Sequence, residues 1–124
     1  MNLHPRSIAL AAVLAVVAGN AQAQQHYMRG RFLIDLNTPD ETKAGIACCL
    51  HAIELDPNYA LAWAGLARAY SNQAGWGWAP LDEAFEHSRD AALRALALVG
   101  IAAGLDHGAV VLVGDEDHDE RRIG

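Results

Sequence analysis

The feature that most constrains the fold is a proline break, Asp56-Pro57-Asn58, between two segments of helical periodicity. The residue before a proline resists the α-helical backbone conformation, so a helix must end near Leu55. Apolar residues recur at spacings of three and four on both sides of the break. They are Ile46, Cys49, Leu50 and Ile53 before it, and Trp63, Leu66, Ala67 and Tyr70 after it. This pattern predicts two helices joined by a tight turn.

Two further prolines mark helix starts. Pro39 follows Thr38, which can cap a helix, and Pro80 is followed by acidic residues that suit the positive end of a helix dipole. An earlier segment has an imperfect apolar stripe of Tyr27, Phe32, Leu33 and Leu36, with Arg29 and Arg31 outside it. The predicted helices are Gln24–Leu36, Pro39–Leu55, Tyr59–Asn72 and Pro80–Leu98, with a glycine-containing loop at Gln73–Ala79. Short connections force neighbouring helices to lie antiparallel, so the sequence predicts an all-α fold of two helical hairpins over residues 24–98.

The N-terminus has the three parts of a secretory signal. Arg6 precedes an apolar run, Ile8–Gly19, which is shorter than the about 20 residues that span a bilayer. Ala21-Gln22-Ala23 then offers the small residues that a signal peptidase requires. We expect Met1–Ala23 to be a signal peptide, cleaved after Ala23, and the mature chain to be periplasmic or secreted. The alternative is an uncleaved helix that anchors the protein in the membrane.

Composition argues against several classes of function. The net charge of −6 argues against a nucleic-acid surface, which needs a basic patch, and six of the fifteen acids lie in Asp106–Glu120. That acidic run lacks the spacing of an EF-hand loop, so we predict no metal site. Cys48 and Cys49 are adjacent and cannot form an unstrained disulfide, which favours small residues buried in a helix. No catalytic or cofactor-binding motif occurs, so we predict a protein that is not an enzyme and needs no cofactor.

The matched positions on either side of the proline break resemble tetratricopeptide repeats. Trp63, Leu66, Ala67 and Tyr70 are similar to the first helix of such a repeat, Asp82-Glu83-Ala84 and Ala95 to its second helix, and Ala52–Tyr59 to the run that closes a repeat. Gly30-Arg31-Phe32 resembles the equivalent stretch of the preceding unit, in which Gly45 replaces the usual alanine. The likeness is greatest to the repeat segments of bacterial cyclase-like, kinase and transcription-regulator proteins. It implies an α-solenoid after the signal helix.

The resemblance also implies a function in binding a peptide or protein partner. Arrays of this family bind along the concave face made by the first helix of each pair, where the candidates here are Arg29, Arg68 and Asn72. The two arginines would suit an acidic ligand or a carboxyl terminus. Trp76 and Trp78 flank Gly77 in the predicted loop, where they either anchor a ligand or cover the open end of the core.

The segment after Leu98 does not continue the repeat pattern. A short strand at Ala109–Val113 and a charged run at Asp115–Arg122 are expected within an irregular tail, 99–124. One interpretation is a divergent cap, and the other is a shifted reading frame that leaves a non-catalytic fragment of a larger signalling or regulatory protein. Because repeat arrays usually need about three units for stability, we also expect marginal stability or self-association.

Overall fold

The computed structural model describes residues 5–104, and every regular element in that range is an α-helix. The helices are α1 (Pro5–Ala18), α2 (Ala21–Asp35), α3 (Pro39–Leu55), α4 (Ala60–Trp76) and α5 (Leu81–Ala102). The predicted all-α class is therefore confirmed. The expected strand at Ala109–Val113 and the charged run at Asp115–Arg122 lie outside the described residues.

Local signals fix both ends of α3 where the sequence predicts them. Thr38 Oγ1 accepts a hydrogen bond from the Glu41 backbone N–H at 3.3 Å, and the Thr38 hydroxyl donates to the Glu41 carboxylate, so this side chain caps the helix. Pro39 occupies the first helical position, where the missing N–H has no intrahelical partner to lose. The helix ends at Leu55, directly before Asp56-Pro57.

The predicted loop at Gln73–Ala79 is wrong, because α4 continues through Gly75 to Trp76. Gly77 then adopts a left-handed conformation with φ of 71°, which ends the helix at no steric cost for glycine. The Trp78 N–H donates to the Gln73 carbonyl at 2.8 Å and satisfies one of the last carbonyls of the helix. The connection between α4 and α5 is consequently short, Gly77–Pro80.

Two other helix boundaries differ from the sequence prediction. Helix α2 begins at Ala21 rather than Gln24, because the Asn20 side chain caps it by accepting from the Ala23 N–H at 2.8 Å. Helix α5 extends to Ala102 rather than Leu98, and α1 packs against it. The first six residues assigned to the irregular tail, 99–104, thus include the last turn of a helix.

The apolar stripe predicted for α2 is wrong for two of its four residues, whereas Tyr27 is buried as predicted. Phe32 is 63% exposed and Leu36 is 48% exposed, whereas the buried positions include Gly30 and Ile34. The difference arises because the contact with α3 requires a residue without a side chain. A Cβ added to Gly30 would lie 2.9 Å from the carbonyl oxygen of Gly45, so the two helix backbones touch at this crossing.

The described helices form two hairpins, α2–α3 and α4–α5, with α4 packed onto α3 between them. In the second hairpin, Ser88 Oγ of α5 donates a hydrogen bond to the Ala67 carbonyl of α4 at 2.8 Å. Small residues dominate the core and allow these close approaches. Its fully or nearly buried members include Ala23, Ile34, Cys49, Ala52, Tyr59, Ala62, Leu66 and Ala69.

Helix α1 packs against α4 and α5 instead of standing apart from the hairpins. Asn20, at its junction with α2, donates its backbone N–H to Asp56 at 3.0 Å and its side-chain amide to the Leu55 carbonyl at 3.1 Å. Within residues 5–104 no single helix is long and apolar enough to cross a membrane. The α1–α2 pair meets that criterion of length and composition jointly, with a bend of 55°.

Candidate peptide-binding groove

The first helices of the two hairpins, α2 and α4, share an open groove of about 240 Å³. Its lining residues are Tyr27, Arg31 and Ile34 from α2, and Leu61, Ala64, Gly65 and Arg68 from α4. On each helix these positions are separated by three or four residues and so lie on one face. The groove therefore has an apolar floor with one arginine contributed by each helix.

Arg68 is the better fixed of the two arginines. Its Nη2 atom lies 2.5 Å from Oδ1 of Asp35 at the end of α2, so this ion pair bridges the two hairpins. The side chains are 52% and 48% exposed, and a pair so open to water is worth only about 0–1 kcal/mol. An incoming carboxylate can therefore replace Asp35 at little cost.

Tyr27 lies at the base of the groove, where the edge of its ring meets the Tyr59 ring with centroids 5.4 Å apart. Burial raises the pKa of its hydroxyl above the ordinary value, while the nearby Arg31 and Arg68 charges lower it in part. The phenol stays protonated at neutral pH, so it can donate a hydrogen bond. Gly65 gives the ring its space, since a Cβ there would lie 3.1 Å from Tyr27 Cε1.

The structure separates the three residues predicted for the concave face. Arg68 lines the groove, and half-buried Asn72 follows it one turn further along α4. Arg29 is exposed but does not line the groove, because two residues along a helix turn its side chain roughly 200° from that of Arg31. Sequence reasoning missed Arg31. Counting Ile34 in the apolar stripe would have identified Arg31, because Arg31 lies on the same helix face as Tyr27 and Ile34.

Trp76 and Trp78 form a separate surface at the end of α4. Their rings are stacked with centroids 6.1 Å apart and an interplanar angle of 17°. Trp76 is 62% exposed and Trp78 is half-buried, and neither belongs to the main core cluster. This exposure fits a ligand anchor better than a cover for the core, and binding by the pair stays a prediction.

A ring contact bridges the two helices in each hairpin. His26 of α2 stacks on His51 of α3 with centroids 4.0 Å apart, and in the second hairpin Arg94 lies 5.3 Å from the centre of the Trp63 ring. Neither contact was anticipated from the sequence. Residues 5–104 contain no group of three or more His, Cys, Asp or Glu side chains that could hold a metal ion.

Antiparallel helical hairpins, stacked so that their first helices share a groove, define an α-solenoid repeat protein. Residues 48–79, from the second half of α3 to the loop after α4, match the family model described as tetratricopeptide repeat, so this part of the chain carries a tetratricopeptide repeat. Repeats of this family are protein–protein interaction modules and generally not catalytic. Comparisons with curated proteins and with solved structures find no match.

Proposed function

We propose that this protein binds an acidic segment or a carboxyl terminus of a partner protein in the groove between α2 and α4. The observation that carries the proposal is the pair of arginines, Arg31 and Arg68, on opposite sides of an apolar floor. Guanidinium groups bind carboxylates through paired, charge-assisted hydrogen bonds, which makes arginine suited to this ligand. The floor residues Ile34 and Leu61 would accept an apolar side chain next to the carboxylate.

The electrostatics of the groove favour an anion over a cation. Asp35 is the acidic residue paired with Arg68, which leaves the positive charge of Arg31 in excess along the lining. A ligand carboxylate would meet Arg31 directly and would compete with Asp35 for Arg68. The Tyr27 hydroxyl supplies a neutral donor between them. The expected ligand is thus an extended peptide with a carboxylate next to a hydrophobic residue.

The test is a binding titration of the full chain with a fluorescein-labelled peptide of leucine and acidic residues, made with a free and with an amidated carboxyl terminus. Arg31→Ala and Arg68→Ala should each weaken binding by about tenfold or more, the expected cost of losing a hydrogen bond to a charged group. Arg29→Ala is the matched control, because it removes an exposed arginine of the same helix outside the groove.

The outcomes separate the groove from general charge attraction. Equal weakening by Arg29→Ala would show that the peptide responds to overall charge and would refute the groove as the site. A loss of affinity on amidation identifies a carboxyl terminus as the ligand, whereas equal binding of both peptides identifies internal acidic side chains. Absence of saturable binding to both peptides would refute the proposal.

We also propose that the chain is exported to the periplasm or beyond the cell by its N-terminal segment. The three-part pattern of Met1–Ala23 supports this proposal. Ala23 is completely buried within α2, so a peptidase would have to cleave after it before the helix packs. N-terminal sequencing of the exported protein tests the idea: Gln24 as the first residue supports cleavage, and Met1 supports a retained anchor.

A further inference from the structure

The two hairpins can be aligned residue by residue from one close contact between the helices of each. Gly30 meets Gly45 in the first hairpin, and Ala67 meets Ser88 in the second. Gly30 therefore corresponds to Ala67, and Gly45 corresponds to Ser88.

A second, independent contact supports this register. Counting from the glycine crossing, His26 corresponds to Trp63, and His51 corresponds to Arg94. Each of these pairs is in ring contact across its own hairpin, the first by stacking and the second by a guanidinium above an indole. The same alignment thus accounts for two contacts in each hairpin.

In this alignment, the residues by which α3 packs against α4 correspond to a face of α5 that includes exposed apolar side chains. On α3 this face is buried or half-buried, and Cys49 Sγ would lie 3.5 Å from a Cβ added to Gly65 of α4. Its residues are Thr42, Ile46, Cys49 and Ile53, which correspond on α5 to Phe85, Arg89, Ala92 and Leu96. Phe85 is 52% exposed and Leu96 is 61% exposed. We call these four residues of α5 the tail face.

At the other end of the array, α2 exposes residues that correspond to buried residues of α4. On α4 the residues that are buried beside α3 include Ala62, Leu66 and Ala69, at 0%, 3% and 0% exposure. They correspond on α2 to Gln25, Arg29 and Phe32, and Leu36 continues the same stripe. Phe32 is 63% exposed and Leu36 is 48% exposed. We call these four residues of α2 the head face.

We propose that the protein self-associates head to tail, with the head face of one copy packed on the tail face of the next. The contact would repeat between copies the packing that joins α4 to α3 within one copy. Exposed apolar residues grouped on one helix face commonly mark a protein–protein interface. Because the two faces differ, the interface is heterologous and each copy keeps one free face, so assembly is open-ended.

Each face carries one arginine among its apolar residues, Arg29 on the head face and Arg89 on the tail face. An open cavity of about 600 Å³ at the tail face is lined by Glu86 beside Phe85 and Arg89. The segment after Gly104 is a poorer occupant, since its apolar run, Ala109–Val113, is much shorter than the apolar face that α4 packs against α3.

Sedimentation velocity of the full chain at increasing concentration tests the proposal. The wild-type protein should show a mass that rises beyond that of a dimer. Phe32→Asp, which removes the head face, and Leu96→Asp, which removes the tail face, should each give monomers. An equimolar mixture of the two variants should form heterodimers and nothing larger, because each variant retains one intact face.

Two controls keep the result interpretable. Ile101→Asp replaces another exposed apolar residue of α5, on the side of the helix away from the tail face, and should leave association unchanged. Phe85→Asp provides a second tail-face variant, and circular dichroism verifies that each variant keeps its helices. Phe85 is 52% exposed and Ile101 is 57% exposed, so an aspartate at either position keeps its charge in contact with water.

Three outcomes would overturn the proposal. The wild-type chain could be a monomer at all concentrations, as expected if the tail face is covered by the segment after Gly104. Leu96→Asp could abolish association while Phe32→Asp leaves it intact, which would indicate symmetric pairing of two tail faces. Association that persists in both variants would place the interface on other surfaces, such as α1.

Discussion

Gly30 and Gly45 face each other where α2 crosses α3, and neither position has room for a side chain. A Cβ added to Gly45 would lie 2.6 Å from Cγ1 of Ile34 and 2.8 Å from the carbonyl oxygen of Gly30. The Ile34 side chain can shift, but the carbonyl oxygen can move only if the two helices separate. This backbone contact places α2, and with it Arg31 of the groove, relative to the rest of the array.

We therefore predict that Gly45→Ala destabilises the protein even though alanine is the better helix former. Overpacking at a tight contact costs about 1–3 kcal/mol, which exceeds the gain of about 1 kcal/mol in helix propensity. Urea denaturation followed by circular dichroism measures the change in free energy of unfolding.

Gly75→Ala is the matched control for this prediction. Gly75 lies in α4, and a Cβ there would meet no atom within 4 Å. The same substitution should stabilise the protein at this position by about 0.5–1 kcal/mol. Equal stabilisation by both substitutions would show that α2 and α3 are not in backbone contact.

The helix ends show how much of the fold could be predicted from the sequence. The ends of α3 were predicted correctly because Thr38, Pro39 and Pro57 are local signals. The end of α4 was not, because Gly75 and Gly77 look alike in sequence, while only Gly77 has the left-handed conformation that ends a helix. Local propensity cannot distinguish a glycine tolerated in a helix from one that terminates it.

The candidate site was predicted at the level of helices and missed at the level of side chains. The sequence indicated the first helix of each hairpin, and it named Arg68, which the structure places in the lining of the groove. It counted Phe32 as a core residue, although the contact with α3 turns Gly30 and Ile34 inward instead. That error in helical phase made Arg29 the candidate and passed over Arg31. The phase depends on a tertiary contact between glycines, which no apolar pattern records.

Because Asp35 is paired with Arg68, we predict that removing the Asp35 charge raises the affinity for the acidic peptide, whereas the arginine substitutions lower it. Asp35→Asn should strengthen binding of the acidic peptide severalfold, because Arg68 loses its competing carboxylate. Glu54→Gln, at an exposed position of α3, removes the same charge away from the groove and should have a smaller effect. The titration used for the arginine variants measures both. Weaker binding by Asp35→Asn would mean that the ion pair shapes the groove and does not compete with the ligand.

The two cysteines should differ sharply in reactivity. Cys49 is completely buried, and burial, with a smaller contribution from Cys48, raises its pKa to about 12, so its thiol stays protonated at neutral pH. Cys48 is half-buried. We expect a chromogenic thiol reagent to modify one thiol of the native protein and both in urea. Cys48→Ala should remove the fast reaction, and Cys49→Ala should leave it. Rapid modification of both native thiols would contradict the burial of Cys49.

Alkaline pH should destabilise the protein over a defined range. The pKa of Cys49 rises from 9.0 to about 12, and that of Tyr59 rises from 10.0 to about 12, chiefly because both groups are buried. Each contribution to stability is complete below the unfolded-state pKa and is lost as pH rises through the folded-state pKa. The free energy of unfolding should therefore fall between about pH 9 and pH 12. Cys49→Ala combined with Tyr59→Phe should flatten that fall, and an unchanged slope would assign it to other groups.

Thr42 offers a route to a more stable protein, because its side chain is completely buried and its hydroxyl has no hydrogen-bond partner among residues 5–104. An unsatisfied buried hydroxyl costs about 1–3 kcal/mol. Valine has nearly the same shape and a similar helix propensity, so Thr42→Val should raise the free energy of unfolding by about 1 kcal/mol. Thr42→Ala is the comparison, since it removes the hydroxyl but leaves a cavity and should destabilise. If both substitutions destabilise the protein in urea denaturation, the Thr42 hydroxyl has a partner in solution and the core of the first hairpin is hydrated at this position.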